Sequence, residues 1–151
     1  MNIGEALPDL RVQTTLGEIS LSEYRGHALV VYFYPKDDTP GCTVEGIDFT
    51  QLHGEFLAAG CQVIGVSRDS LSSHARFVAK HHLSLTLVAD VEEALCQAFG
   101  VIKAKSMYGK MVQGIERSTF LFDAKGMLQK VWRGVKVPGH AHEVLRAAQA
   151  L

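Results

Sequence analysis

The eight residues His27–Tyr34, HALVVYFY, constrain this chain more than any others. Every position after the histidine is apolar or aromatic, so the run offers no face to water. Such runs form central strands of sheets covered on both faces, usually by helices. Gln62–Ser67 (QVIGVS) repeats the pattern, and Leu85–Ala89 is a third short strand. Helical stretches lie between them. Pro40–Ala59 is stopped by Gly60, and Ser70–His82 carries Leu71, Ala75 and Val78 as its inner stripe with Ser70 or Ser72 as cap. Val91–Phe99 reads as a short helix, and Gly139–Leu151 as a closing one.

The ends of the chain read differently. Leu10–Gln13 and Glu18–Leu21 flank Thr14-Thr15-Leu16-Gly17 as a small N-terminal hairpin. Glu116–Phe122 and Met127–Arg133 are strands joined by Asp123-Ala124-Lys125-Gly126, residues with turn chemistry. Strand–helix alternation followed by a hairpin and a helix predicts an α/β sandwich with a mixed central sheet. With no linker or repeat in 151 residues, a single domain spanning 1–151 is expected.

Several function classes fall away. Basic and acidic residues number 15 and 16, which leaves no cationic excess for nucleic acid. Neither GxGxxG nor GxxxxGK[ST] occurs, which removes the nucleotide readings of an α/β fold. The longest apolar run is far short of a membrane span, and MNIGEALPDL lacks the pattern of a secretory signal. Three scattered cysteines do not suit a disulfide framework, so a reducing cytoplasm is expected. His81-His82 and His140-x-His142 lack the partners of a zinc site and read as solvated histidines. Lys103–Lys110 reads as a basic surface loop, and Trp132 as packing.

The chemistry concentrates at YPKDDTPGCTVEGIDF, Tyr34–Phe49. At about 100° per residue, Cys42, Phe49, Leu52 and Phe56 share the inward face of the helix. A thiol in the first turn meets free backbone N–H groups and the positive end of the helix dipole, both of which favour thiolate. Pro40 suits that first turn, Thr39 stands where a cap or a ligand contact belongs, and Pro35 is placed to shield the thiol. Arg117, at the edge of an apolar strand, calls for an anion, and a guanidinium near Cys42 would stabilise both thiolate and leaving oxygen.

PKDDTPGCT fits the Pro-x-x-x-Thr-x-x-Cys signature of peroxiredoxins through Pro35, Thr39 and Cys42. YFYPKDDTPGCTVE resembles the Q-type, or bacterioferritin comigratory protein, subfamily, and ERSTFLFDAKG is similar to that family's arginine-bearing strand. The likeness runs through nearly the whole chain. It implies a thioredoxin-like fold without cofactor or metal, and a peroxidase in which the Cys42 thiolate becomes a sulfenic acid. Thr39 and Arg117 would hold the peroxide, and Pro35 would limit access. The resemblance also favours a monomer or weak dimer. Two other readings compete: a dithiol oxidoreductase, which needs a cysteine where Glu45 stands, and a redox-gated binding or holdase protein without turnover.

The pattern breaks at the second cysteine. Many Q-type members carry a resolving cysteine five residues after the first, where this chain has Ile47, expected on the outer helix face. Another arrangement uses the next helix, but no cysteine lies between Ser70 and His82. Cys61 lies beyond a helix about 25 Å long, and Cys96 is expected on the polar side of its helix with Glu92 and Gln97. Both read as filler. The expected cycle is therefore one-cysteine, with thioredoxin or glutathione and glutaredoxin as external reductant, and with Cys42 open to over-oxidation.

Overall fold

The computed structural model describes residues 1–151. The N-terminal hairpin comprises β1 (Arg11–Thr14) and β2 (Gly17–Ser20). There follow β3 (Ala28–Phe33), α1 (Pro40–Ala58), β4 (Cys61–Ser67), α2 (Leu71–His81), β5 (Thr86–Ala89) and α3 (Ala94–Phe99). The chain ends with β6 (Ile102–Met107), β7 (Lys110–Ile115), β8 (Ser118–Phe122), β9 (Leu128–Arg133) and α4 (His140–Gln149). Seven strands form one sheet in the order β2-β1-β5-β4-β3-β8-β9. The pairs β3–β4 and β4–β5 are parallel, and β3–β8, β8–β9 and β1–β5 antiparallel. The sheet is thus mixed, flanked by helices, with the expected thioredoxin-like plan and N-terminal hairpin.

All six residues of β3 are buried, because the two faces of the strand feed two cores. Ala28, Val30 and Tyr32, with Tyr34 just beyond, join Phe49, Phe56, Phe77 and Leu145 on the side of α1, α2 and α4. Leu29, Val31 and Phe33 join Leu95, Phe99, Phe120 and Phe122 on the other. This period-two division is why the run tolerates no polar residue. Each fully buried large side chain contributes about 1.5–3 kcal/mol. Gly65 in β4 is fixed by the same packing: a Cβ there would lie 2.8 Å from both Tyr32 Cζ and Leu87 Cδ2.

Several local expectations need correction. Lys103–Lys110 is no solvated loop but part of an antiparallel ribbon, β6 paired with β7, whose periodicity is hidden because most of its residues are exposed. α2 has Ser70 as its cap, as expected, but turns His74 and Phe77 inward while Leu71 and Ala75 face out. Val78 packs against the first core as expected; the stripe shifts at the other two positions because buried His74 takes an inner place that a count of apolar residues leaves out. α3 starts at Ala94, not Val91, because the Asp90 carboxylate accepts from the Leu95 and Cys96 amides. That cap rotates the helix so that Cys96 is buried in the second core and Val91 is exposed. Ile47 is half-buried and packs against the first core instead of facing outward. His140 is likewise buried, not solvated.

Candidate active site

The site forms where β3 runs into α1. Pro35 follows the strand half-buried, and Thr39 is the N-cap residue of α1, with extended backbone. The Thr39 side chain caps no amide; its hydroxyl donates to the Lys36 carbonyl at 2.8 Å and closes the loop. The first bond of the α1 ladder runs from the Thr43 amide to the Thr39 carbonyl, 2.9 Å, so the Gly41 and Cys42 amides stand ahead of it. Cys42 is buried here with Phe49, Leu52 and Phe56 on one face, as the helical spacing predicts.

Arg117 reaches this point from the residue preceding β8. Its Nη2 donates to Cys42 Sγ at 3.4 Å and its Nη1 to Glu45 Oε1 at 2.7 Å. One guanidinium edge therefore serves a sulfur and a carboxylate together, a planar fork that lysine cannot reproduce. Gly41 makes room for it: a Cβ at residue 41 would come within 3.1 Å of Arg117 Nη2. The structure thus brings Cys42 and Arg117 into direct contact. Thr39 stands at the cap of the same helix, and Pro35 enters no side-chain hydrogen bond.

Sequence reasoning missed Glu45 as a member of this group. It stands three residues after Cys42 on the same helical face, a spacing that could have found it. Its side chain is 1% exposed against 16% for Arg117. Burial, acting against the attraction of Arg117, pushes the Glu45 carboxyl up from 4.5 to about 7. A carboxyl raised in the folded state weakens folding as pH climbs from its unfolded to its folded value. Stability should therefore fall between about pH 4.5 and 7 by up to about 3 kcal/mol from this group, and Glu45→Gln should flatten that slope in urea unfolding measured across the window.

The other two thiols are poorly placed for chemistry. All three cysteines are free and buried. Burial pushes Cys61 up to about 12 and also raises Cys96, beside Asp90. Cys61 pairs with Ala28 at the start of β3, whereas Cys42 follows the end of that strand, so they lie at opposite ends of the central strands.

A second polar cluster underlies the loop. Asp37 accepts from Tyr34 Oη at 2.6 Å and from Ser73 Oγ at 2.8 Å, and lies 2.7 Å from His74 Nδ1. Burial works against its charge, but the bonds from His74, Tyr34 and Ser73 outweigh it and hold Asp37 below the usual carboxylate range. Asp37, Asp69 and His74 bring ligand atoms within 4.8 Å of one another. Those atoms are already engaged in hydrogen bonds, so the cluster reads as a polar lock and not as a metal centre. No helix is long and apolar enough to cross a membrane.

Comparison with known proteins meets this geometry from outside. The sequence model of the AhpC/TSA family matches residues 3–131. The chain is 56% identical over 133 residues to a peroxiredoxin Bcp of Xanthomonas campestris pv. campestris, covering 88% of this chain and 83% of that one. It is 48% identical over 147 residues to the peroxiredoxin Bcp of Bacillus subtilis, covering 97% and 94%. A solved structure of the X. campestris bacterioferritin comigratory protein, a study of its alkyl peroxide reduction activity, superposes with a TM-score of 0.90 at 51% identity, covering 97% and 98%. The chain belongs to the AhpC/TSA family, as a thiol-dependent peroxidase of the Bcp or Q-type peroxiredoxins.

Proposed function

We propose that Cys42 is the peroxide-reducing residue and that it cycles alone. The observation that carries this is the Arg117 Nη2 donor 3.4 Å from the Cys42 sulfur at a helix N-terminus. Guanidinium and helix end both stabilise the thiolate. The thiolate attacks one peroxide oxygen, an S–O bond forms and the O–O bond breaks. Sulfur is oxidised to sulfenic acid, and the departing oxygen leaves as alcohol or water once protonated. Thr39, whose hydroxyl donates its hydrogen bond to the Lys36 carbonyl, keeps its oxygen free to accept from the peroxide O–H. Arg117 steadies the negative charge as it moves from sulfur to the leaving oxygen. Pro35 narrows the approach.

No cysteine stands at Ile47 or on α2, and burial disfavours the thiolates of Cys61 and Cys96. An external thiol therefore attacks the Cys42 sulfenic acid, releasing water and leaving a mixed disulfide that a second thiol reduces. Thioredoxin, or glutathione with glutaredoxin, has this chemistry, and their supply fits a cytoplasmic protein. Hydrogen peroxide and organic hydroperoxides are the proposed substrates; reduction of alkyl peroxides by the X. campestris relative supports the latter. One domain, acting as a monomer or weak dimer, carries the whole cycle. Steady-state turnover should appear with at least one of the two reductant systems and should survive Cys61→Ser and Cys96→Ser. Turnover with neither system would overturn the external-thiol cycle.

A further inference from the structure

His74 is 0% exposed on the inner face of α2 and bonded through both ring nitrogens. Nε2 lies 2.8 Å from the Val88 carbonyl, which can only accept, so that nitrogen carries a proton. Nδ1 lies 2.7 Å from Asp37 Oδ2. The carboxylate also accepts hydrogen bonds from Tyr34 and Ser73, an arrangement that favours its ionised form. His74 is thus held at both ring nitrogens, by a carboxylate and by a backbone carbonyl, in the protein interior. Asp69 is the other acidic group facing it, while Arg76 and Lys80 of α2 lie on the outer side of the same cluster.

Net stability is a poor reason for such a pair, because desolvation offsets most of the attraction. Direction is a better one. Asp37 is part of the four-residue link between Pro35 and Pro40. Its amide donates to Asp69 Oδ2 at 2.9 Å, and Asp69 is held by Ser67 Oγ at 2.5 Å. Next in the chain, Asp38 adopts a left-handed backbone, φ 60°, and takes bonds from Lys80 at 2.7 Å and His81 at 2.8 Å. A strained non-glycine residue persists only where its surroundings over-determine it. α2 therefore grips, through Ser73, His74, Lys80 and His81, the loop that carries Pro35 and Thr39 and aims the first turn of α1.

We propose that His74 is a positioning residue for peroxide reduction: doubly bonded between Asp37 and the Val88 carbonyl, it fixes the Pro35–Thr39 loop over Cys42. The proposal rests on Cys42 as the reacting group. Two measurements on the full chain test it. Nitrogen-resolved imidazole spectra of the wild type should show the Nε2–H proton of His74 protected from exchange. Stopped-flow oxidation of Cys42 by hydrogen peroxide should slow about tenfold in His74→Gln and in Asp37→Asn. The double variant should be no slower than either single one, because the two residues act as one unit. A merely structural role would lower the melting temperature and leave the rate of the folded protein unchanged.

An Nε2–H proton of His74 that exchanges as fast as that of a surface histidine overturns the proposal, as do rate constants within about twofold of wild type in variants with native circular dichroism. If the variants do not fold, the wild-type spectra decide alone. Failure of the Cys42 reading would show differently, as a wild-type protein in which peroxide leaves Cys42 unmodified.

Discussion

Cys42→Ser is expected to abolish peroxide consumption while leaving the fold intact. Serine is close in size to the buried cysteine, so the first core loses little packing. Its hydroxyl is not ionised at neutral pH, however, and the helix end and Arg117 have no thiolate to stabilise. Loss to the level of the uncatalysed reaction is the expected result in a peroxide-consumption assay. Cys61→Ser and Cys96→Ser should show the opposite profile. Both positions are fully buried, so taking the more polar hydroxyl out of water costs about 1–3 kcal/mol of stability, less where the Gln62 carbonyl or Asp90 accepts from it, with activity retained.

Arg117 carries the second large effect. Arg117→Ala removes the only side-chain donor to the Cys42 sulfur and the charge opposing the leaving oxygen. By analogy with the loss of one preorganised donor to a developing anion, kcat/KM should fall about 10²–10³-fold. Arg117→Lys should recover little, since a point charge cannot bond Glu45 and Cys42 together as the guanidinium fork does. The Glu45 carboxyl, already raised to about 7, would protonate once unpaired, so the stability cost should be smaller than the loss of rate.

The parts legible in the sequence were those fixed by local chemistry. HALVVYFY declared a strand buried on both faces, and the spacing of Cys42, Phe49, Leu52 and Phe56 declared the inward face of α1. Pro35, Thr39 and Cys42 sit on one short segment, so a motif could hold them. Arg117 lies 75 residues from Cys42 and was reached through its isolation at an apolar strand and through the family likeness.

What stayed hidden depends on partners far apart in the chain. Glu45 looked like an ordinary helix acid until Arg117 closed over it. His74 broke the apolar stripe of α2 because its partners, Asp37 in the β3–α1 connection and the Val88 carbonyl in β5, are far from it in the sequence. The β6–β7 ribbon escaped because exposed strands carry little periodicity. Cys96 was turned the wrong way by three residues of helix that Asp90 converts into a turn.

The central claim is that Cys42 reacts and no cysteine of this chain resolves it. Mixing the protein with one equivalent of hydrogen peroxide, trapping at once and mapping the peptides without reductant tests both halves together. The account predicts that the Cys42 peptide gains the mass of one oxygen atom, or of a sulfenic-acid trap, with Cys61 and Cys96 unmodified. A disulfide joining Cys42 to Cys61 or Cys96, or a Cys42 peptide of unchanged mass, would contradict it.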